Sequence, residues 1–477
     1  MTITQILIFT GFALLLGWLT RKFQRVNLLL IASVLAVYWL QPALPLRYLD
    51  FYLPTLSIGI TVLAWALTAT PEMRRQRESL ISGGIVLALV LVLALTRYLG
   101  LDQILLPARP PVFTQVLIVA AFFLLSTFYF LFSKKAASNA TLWTGFGILL
   151  FFFIVLKTPV LSAFISELWR SLVSKQDVAL AAANDIHWLG YSYLAFRLLH
   201  TIRDRQSGRL PDVRLGEYVT YVIFFPSFSV GPIERIERFI KGLRNPANAI
   251  NADWLNGGER LAIGLFKKFV IADTLAMISL NATSATQAQS AFGAWILLYA
   301  YAFQIYFDFS GYTDIAIGLG HFVGIKLPEN FKQPYRQSNL TLFWNNWHMT
   351  LTQWFRAYFF NPFARALRSN RKLSPAMMVL VSQLATMTLI GLWHGVTWSF
   401  VVWGVWHGVG LFLQNRYSGW AKTRLAAASL NPRAELALSI GGTLLTFHFV
   451  ALGWVWFVLP DPALGWQFIL RLVGVAA

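Results

Sequence analysis

The chain has 477 residues, of which 57% are hydrophobic and only 12% are charged. A soluble protein of this size would carry about 25% charged residues, so the composition excludes a large soluble protein and indicates a membrane protein. The formal net charge is +19, but the basic residues lie in short clusters between apolar stretches. That pattern is typical of membrane topology and of contact with anionic lipids, and it argues against nucleic acid as a partner. Cysteine is absent, which excludes disulfides, thiolate metal sites and an acyl-cysteine intermediate.

The first 160 residues hold six apolar stretches close to the length of about 20 residues that crosses a bilayer. They are Ile6–Leu19, Leu28–Leu46, Tyr52–Leu67, Ile81–Leu99, Thr114–Phe132 and Thr141–Val155. Basic clusters follow the first, third and fifth: Arg21, Lys22 and Arg25, then Arg74, Arg75 and Arg77, then Lys134 and Lys135. Because basic loops stay in the cytoplasm, this alternation predicts a multi-pass protein of the cell membrane with an extracytoplasmic N-terminus. The start of the chain lacks signal-peptide features, so we expect the first stretch to be retained as an anchor.

The chain becomes more polar and less regular after residue 160. Ile186–Leu199 predicts either a further span or a tilted, partly interfacial helix. In Tyr218–Ile233, two prolines and a glycine interrupt an apolar stretch, which predicts a broken or re-entrant helix. Non-helical backbone at membrane depth must be buried in protein or line a cavity. Four basic residues then predict an amphipathic helix on the cytoplasmic surface: Arg235, Arg238, Lys241 and Arg244.

Five further apolar stretches follow: Leu261–Leu280, Phe292–Phe309, Met377–Trp393, Trp398–Leu413 and Leu438–Val458. We therefore predict an all-α polytopic membrane protein with about eleven transmembrane helices, together with amphipathic and re-entrant helices. No solenoid repeat and no low-complexity linker divides the sequence. Residues 1–477 are therefore predicted to form a single membrane domain.

Two histidines are the strongest candidates for chemistry: His348, which follows Trp347, and His394, in Trp393-His394-Gly395. Imidazole is the side chain best suited to moving protons near neutral pH. An ionisable side chain within a membrane is costly, so its presence there indicates a function. We therefore interpret His348 and His394 as candidate catalytic residues.

A near copy of the second motif, Val405-Trp406-His407-Gly408, follows shortly after it. The residues alone leave both His394 and His407 open as the catalytic histidine. A histidine on an apolar helix is more often a hydrogen-bonded structural residue, which is the role that we expect of His407. We expect the same structural role of His187, His200, His321 and His448.

The stretch from Gln304 to His407 also carries polar residues in apolar surroundings. Asp308 and Asp314 lie six positions apart, so they project from different sides of a helix. Two interpretations stay open: they pair with arginines or cap broken helices, or they belong to the site. From Trp344 to Asn361, aromatic and polar residues interleave and predict one amphipathic helix with His348 on its polar side.

The motifs of several other enzyme classes are missing. The sequence contains no G-x-S-x-G elbow, no Walker loop, no H-E-x-x-H and no metal-like clustering of histidines and carboxylates. A lone histidine base that activates an acceptor hydroxyl is the chemistry that remains. A proton-coupled transporter or flippase stays open as an alternative, although no inverted repeat supports it. A non-catalytic scaffold is a third interpretation.

Together, five motifs resemble the membrane-bound O-acyltransferase family, in the bacterial branch that contains alginate O-acetylation and teichoic-acid D-alanyl transfer proteins. The resemblance covers residues 185–413. The predicted N-terminal helices, in residues 1–160, carry no recognised motif, and residues 414–477 form the predicted C-terminal helices. The motifs are Phe225-Pro226-Ser227-Phe228-Ser229-Val230-Gly231-Pro232-Ile233, Asp308-Phe309-Ser310-Gly311-Tyr312-Thr313-Asp314, Phe343-Trp344-Asn345-Asn346-Trp347-His348-Met349-Thr350-Leu351-Thr352, Trp354-Phe355-Arg356 and Gly391-Leu392-Trp393-His394-Gly395.

This resemblance implies that His394, rather than His407, is the essential histidine, and that His348 occupies the family's second polar position. Substrate contacts are expected from residues of the same motifs: Trp393, Trp347, Asn345, Arg356, Tyr312 and Asp308. A ring of helices around a tunnel is also implied, in which a cytoplasmic acyl donor meets an acceptor from the outer face. One position departs from the branch: Ala357 replaces the aspartate of its Trp-Phe-Arg-Asp-Tyr motif.

No bound cofactor is expected, and the acyl donor is expected to be a thioester substrate, either acetyl-CoA or the phosphopantetheine of an acyl carrier protein. Arg235, Arg238 and Arg356 suit the phosphates of such donors. The expected acceptor is a hydroxyl of a cell-envelope polysaccharide or polymer. The expected partners are membrane lipids, an acyl carrier protein on the cytoplasmic face and an extracytoplasmic acyltransferase that modifies the polymer.

Overall fold

A computed structural model describes residues 2–21, 24–100, 106–133, 138–245, 253–369, 373–425 and 431–475. Within these ranges the regular secondary structure is helical throughout, with no strand. Of the basic clusters, Lys22, Lys134 and Lys135 lie outside the described residues. The chain divides into two compact units, one of residues 1–261 and 315–328 and the other of residues 262–314 and 329–477.

The first unit consists mainly of long apolar helices and shorter connecting helices. Its α-helices are Ile3–Leu19, Arg25–Leu40, Leu49–Thr68, Pro71–Arg75, Arg77–Leu99, Phe113–Phe132, Asn139–Lys157, Pro159–Trp169, Tyr191–Gln206, Leu215–Val222 and Ile236–Arg244. A π-helical segment, Arg170–Ser174, and two 3₁₀ turns, Val178–Leu180 and Phe225–Ser227, complete its described helical structure. Each of the six predicted N-terminal apolar stretches therefore forms a helix.

The second helix is shorter than the sequence predicted. It ends at Leu40 rather than Leu46, and Gln41 already has an extended backbone. The physical reason is Pro42, because a proline disfavours helical backbone in the residue before it.

The predicted break in Tyr218–Ile233 is confirmed, since the helix Leu215–Val222 stops well before the amphipathic helix Ile236–Arg244. Arg197, only 1% exposed, donates to the carbonyl oxygens of Tyr221, Val222 and Ser227 at 2.8–3.3 Å. These carbonyls have lost helical partners at the break, and a buried guanidinium needs acceptors. Arg197 therefore stabilises the broken backbone.

Two helices, Trp254–Leu265 and Ala291–Phe322, each contribute residues to both units. The other α-helices of the second unit are Asp273–Ala276, Ala282–Gln287, Leu340–Asn346, Met349–Phe355, Asn361–Ser369, Pro375–His394, Trp398–Leu425, Pro432–Val458 and Pro462–Leu472. Two π-helical segments, Phe266–Ala272 and Arg356–Phe360, and a 3₁₀ turn, Pro334–Arg336, lie among them.

One prediction in this unit is wrong: Trp344 to Asn361 does not form a single amphipathic helix. The helix Leu340–Asn346 stops at Trp347, and a new helix begins at Met349. His348, between them, has φ +41° and ψ +53°, a left-handed backbone that cannot continue a right-handed helix.

Six described helices are long and apolar enough to cross a membrane: Leu49–Thr68, Arg77–Leu99, Phe113–Phe132, Asn139–Lys157, Pro375–His394 and Pro432–Val458. Ile3–Leu19 and Arg25–Leu40 are apolar but shorter. These helices confirm the predicted all-α polytopic class. The total of about eleven spans, the central tunnel and the single domain stay predictions.

Candidate functional site

His348 lies at the junction of two short helices, with its side chain buried to 3% exposure. Left-handed backbone costs a residue with a Cβ roughly 1–2 kcal/mol, so the surrounding structure must hold it in place. Asn330, which is completely buried, does so from a preceding loop. Its side-chain oxygen accepts hydrogen bonds from the backbone N–H and the hydroxyl of Thr350, at 3.2 and 2.6 Å. Its backbone carbonyl accepts from the N–H of Met349 at 2.9 Å.

The imidazole of His348 is enclosed by aromatic rings. The ring centroid of Phe309 lies 4.6 Å from it in an edge-to-face arrangement, and that of Trp393 lies at 6.2 Å. Neither ring nitrogen of His348 has a hydrogen-bond partner among the described residues. Buried nitrogens without a protein partner are rare in native structures, and catalytic sites are one of the places where they occur.

His394 is the last residue of the helix Pro375–His394 and is half-buried. Its ring centroid lies 4.4 Å from that of Trp393 and 4.7 Å from that of Phe457. Trp393 therefore contacts both His348 and His394. These two histidines, which we call the histidine pair, both lie in the second unit, His348 between two short helices and His394 at the end of a third.

Close helix packing fixes the position of His394. A Cβ at Gly391 would collide with the carbonyl oxygen of Phe400, at the start of the returning helix Trp398–Leu425. Further along, a Cβ at Gly404 would lie 2.5 Å from the Cα of Thr388. Small residues at such positions let helix backbones approach closely in membranes. The two helices thus form a tight hairpin with His394 at its turn.

The remaining predicted site residues fall into different environments. Trp347 is 4% exposed and stacks on Phe343 with ring centroids 5.5 Å apart, so it belongs to a buried aromatic cluster. Asn345 accepts a hydrogen bond of 2.5 Å from the guanidinium of Arg356. Arg356 is exposed and lines a cavity of about 200 Å³, together with Trp344, Thr352, Phe355, Met387 and Ile390.

Asp308 and Tyr312 lie in a charged cluster with Lys268. The ammonium of Lys268 is 2.5 Å from the carboxylate of Asp308 and 5.4 Å from the ring centroid of Tyr312. Asp314 pairs with the adjacent Lys267 at 2.6 Å. Both aspartates are therefore paired, but with lysines rather than the expected arginines, and their role in the site stays a prediction.

The sequence reasoning missed Asn330, Lys267 and Lys268. The two lysines offered a signal, since they interrupt the predicted apolar stretch Leu261–Leu280. Asn330 offered none, because a polar residue in a loop is ordinary and its partners lie some 20 residues further along the chain.

His407 is completely buried, with its ring 4.9 Å from Trp403 and 5.1 Å from Trp344. Within the described part of the chain, neither of its ring nitrogens has a hydrogen-bond partner. The expected hydrogen bond of His407 is therefore not present among the described residues, and its structural role stays a prediction. The expected hydrogen bond is present for His200, which bonds the hydroxyl of Tyr221 at 3.2 Å, and for His448, which bonds that of Tyr299 at 2.8 Å.

The site offers imidazole chemistry. In the described ranges, no three or more histidine, cysteine, aspartate or glutamate residues group as metal ligands would. A half-buried and an enclosed imidazole both lie near the indole of Trp393, and neither ring nitrogen of the enclosed one has a hydrogen-bond partner among the described residues. Such a pair can accept a proton from one substrate group and donate a hydrogen bond to another.

The region that contains the histidine pair is similar to known proteins. The model of the membrane-bound O-acyltransferase family matches residues 112–430, which include the histidine pair and extend beyond the resemblance at 185–413. The chain is 32% identical to the teichoic acid D-alanyltransferase of Bacillus subtilis over 298 residues, which cover 62% of this chain and 74% of that protein.

Two other relatives match shorter regions. A probable alginate O-acetylase of Pseudomonas putida is 34% identical over 270 residues, or 56% of this chain and 52% of the relative. A peptidoglycan O-acetyltransferase of Helicobacter pylori is 36% identical over 265 residues, or 54% and 47% respectively. The family match covers well over half of the sequence and includes both histidines. This chain therefore belongs to the membrane-bound O-acyltransferase family and is an acyltransferase.

Proposed function

We propose that the protein transfers a small acyl group, acetyl or D-alanyl, from a cytoplasmic thioester to a hydroxyl of a cell-envelope polymer. The names of the relatives give acetyl and D-alanyl as transferred groups, and teichoic acid, alginate and peptidoglycan as polymers. The apolar helices support a location in the cell membrane, where a cytoplasmic donor and an external acceptor can meet.

In the proposed reaction, His394 is the general base. The acceptor hydroxyl oxygen attacks the acyl carbonyl carbon while His394 takes the hydroxyl proton. The carbon–sulfur bond then breaks, and His394 returns the proton to the departing thiolate, which leaves as the thiol. The half-buried position of His394 at a helix end supports this role, since a base must be reachable by both substrates.

His348 is proposed to stabilise the oxyanion that forms on the acyl carbonyl. Enclosure by rings favours its neutral form, which carries one N–H donor and one acceptor nitrogen. A donor held ready for developing negative charge stabilises the transition state more than the ground state. Its fixed backbone supports this role, because oxyanion donors act through preorganised geometry.

The observation that carries the proposal is the contact of both histidines with Trp393, inside the region that matches the family. The test uses purified protein in detergent with two kinds of donor, acetyl-CoA and carrier protein loaded with acetyl or D-alanyl groups. Thiol release is measured with and without sugar acceptors, and acylated acceptor is identified by mass spectrometry.

The parent is expected to release thiol in an acceptor-dependent manner with one of these donors. His394→Ala should slow transfer by about 10²-fold or more, which is the typical contribution of a general base. His448→Ala is the matched control, a half-buried histidine on the helix Pro432–Val458 that should keep the parental rate. Full transfer by His394→Ala would refute the mechanism, and a parent that releases no thiol from either donor would refute the thioester donor.

A further inference from the structure

The first unit contains a cavity of about 890 Å³ that the acyl-transfer proposal does not use. Its walls come from the C-terminal end of the helix Ile3–Leu19 and the first turns of Arg25–Leu40 and Arg77–Leu99. The start of Leu215–Val222 and the end of Ile236–Arg244 close the other side. The cavity thus lies where several helices begin or end.

Five arginines line this cavity: Arg21, Arg25, Arg77, Arg214 and Arg244. Arg244 is neutralised, because its guanidinium binds both carboxylate oxygens of the buried Glu217 at 2.7 Å. The other four have no carboxylate within 4 Å in the part of the chain that the structure describes. One further carboxylate, that of Glu78, lines the cavity, so the positive charge exceeds the negative charge by three.

Most of these guanidinium groups are held in place without being neutralised. Arg25 donates to the carbonyl oxygens of Gly242, Leu243, Val323 and Gly324 at 2.9–3.1 Å. Arg21 lies 4.9 Å from the ring centroid of Trp254, and Arg214 donates to the side chain of Gln76 at 3.1 Å. Neutral partners fix the position of a guanidinium without cancelling its charge, and in Arg25 both terminal nitrogens are taken up by these carbonyls.

Two helix N-termini add to the positive potential. Neither Gln24, before Arg25–Leu40, nor Gln76, before Arg77–Leu99, caps its helix with a side-chain hydrogen bond. First-turn N–H groups carry partial positive charge, and an anion at a helix N-terminus is stabilised by them. Arginines together with helix N-termini suit the oxygens of a phosphate group.

The cavity lies at the end of membrane-crossing helices. Arg77–Leu99 is long and apolar enough to span a bilayer, and Arg77 and Glu78 in its first turn line the cavity. Lipid phosphates lie at this boundary between hydrocarbon and water, and basic pockets between helix ends bind anionic head groups. The cavity also has apolar lining from Val26, Ile81 and Leu243, which suits the first methylene groups of a lipid acyl chain.

We propose that this cavity is a binding site for a phosphate group, supplied by an anionic phospholipid head group or by a soluble phosphate anion. The site is independent of the histidine pair and of the proposed reaction. Its occupant would bridge helices from distant parts of the first unit and stabilise their arrangement.

The test is a binding measurement on the full-length protein in neutral detergent. Native mass spectrometry with short-chain phosphatidylglycerol and with zwitterionic phosphatidylcholine examines the lipid source, and calorimetric titration with pyrophosphate examines the soluble source. The double variant Arg21→Gln, Arg77→Gln removes two exposed charges of the cavity. The matched control, Arg47→Gln with Arg75→Gln, removes two exposed charges outside it.

We expect phosphatidylglycerol, pyrophosphate or both to bind saturably and more tightly than phosphatidylcholine. The cavity double variant should weaken binding by at least about tenfold, since two of the positive charges around the bound phosphate are removed. The control double variant should bind as the parent does.

Glu78→Gln, which removes the opposing carboxylate, should tighten binding. Binding of phosphatidylglycerol alone would assign the site to a lipid, and binding of pyrophosphate alone to a soluble anion.

Three results would each overturn the proposal. The first is saturable binding of neither phosphate probe. The second is equal affinity for phosphatidylglycerol and phosphatidylcholine in a protein that does not bind pyrophosphate. The third is equal loss of binding in the cavity and control double variants.

Discussion

Asn330 holds the backbone turn that places His348. Its side-chain oxygen satisfies two donors of Thr350, and its carbonyl satisfies the N–H of Met349. All of these groups lie in the first turn of the helix that follows His348. The position of the imidazole therefore depends on a residue that cannot itself take part in proton transfer.

Replacement of Asn330 by alanine should weaken both folding and catalysis. The substitution leaves the N–H and hydroxyl of Thr350 buried without their acceptor, at a cost of about 1–3 kcal/mol. We expect a lower thermal midpoint in detergent and a fall in kcat of about tenfold or more, since displaced groups lose catalytic alignment. Asn346→Ala, which loses a single exposed hydrogen bond to the Leu342 carbonyl, is the control. Unchanged kcat in Asn330→Ala would argue against a positioning role.

Arg356 is the predicted donor contact that is best placed to bind a phosphate. Arg235 pairs with Glu237 at 3.2 Å and Arg238 pairs with Glu234 at 3.5 Å, so both are already neutralised. Among the described residues, Arg356 has no carboxylate within 4 Å, and its bond to Asn345 is to a neutral oxygen.

Arg356→Gln is therefore expected to raise KM for the thioester donor by about five- to tenfold while kcat changes little, because a binding contact away from the reacting atoms is lost. Steady-state kinetics with donor concentration as the variable measure this effect. Arg365→Gln, an exposed arginine on the next helix, should leave KM unchanged. A fall in kcat at constant KM would contradict the assignment.

The sequence singles out His348 and His394 as candidates, but the contacts that hold them in place could not be predicted from it. His348 and His394 stand out because ionisable side chains are rare within apolar stretches. The motifs around them resemble those of a known family. Asn330 and the lysine partners of Asp308 and Asp314 depend on which distant segments meet. Local patterns carry no information about such contacts.

At the scale of elements, the hairpin of Pro375–His394 and Trp398–Leu425 depends on glycines at its contact surface. Gly404 and Gly408 face the preceding helix so closely that an added Cβ would lie 2.5 and 2.9 Å from Cα atoms of Thr388 and Leu384. Dispersion contacts of this kind replace the hydrophobic effect as the force that joins helices in a lipid environment.

Gly404→Ala should force the two helices apart and lower the thermal midpoint, at a cost of about 1–3 kcal/mol for overpacking. Activity should fall with it, because His394 lies at the turn of the hairpin. Gly419→Ala on the same helix meets no atom within 4 Å and should be neutral or slightly stabilising, since alanine is the better helix former. The thermal midpoint and the transfer rate of both variants are measured. Equal values for Gly404→Ala and Gly419→Ala would exclude tight packing at Gly404.

The positions of the helices could be predicted from hydropathy. The interruptions between them could be predicted only where the sequence contains a proline. The break after Val222 was predictable from Pro226 and Pro232. The break at His348 was not, because a histidine permits helical backbone and its left-handed conformation is imposed by tertiary hydrogen bonds.

At the scale of the whole molecule, the charge alternation predicts an orientation that cysteine chemistry can test. The natural sequence has no cysteine, so a single introduced thiol is the only labelling site. Thr2→Cys should react with a membrane-impermeant maleimide in intact spheroplasts, because the N-terminus is predicted to be external. Arg75→Cys should react only after permeabilisation. Both positions are exposed, and the reverse labelling pattern would invert the proposed topology.

The division into discontinuous units has a consequence for synthesis. Residues 315–328 belong to the first unit but follow residues 262–314 of the second, so the first unit is completed late in translation. Arg25 binds the carbonyl oxygens of Val323 and Gly324, which lie 298 and 299 positions further along. At about 5–20 residues per second, the ribosome needs about 15–60 seconds to supply them after Arg25 is made. Until then Arg25 has only the earlier acceptors, the carbonyls of Gly242 and Leu243, and lacks those of Val323 and Gly324.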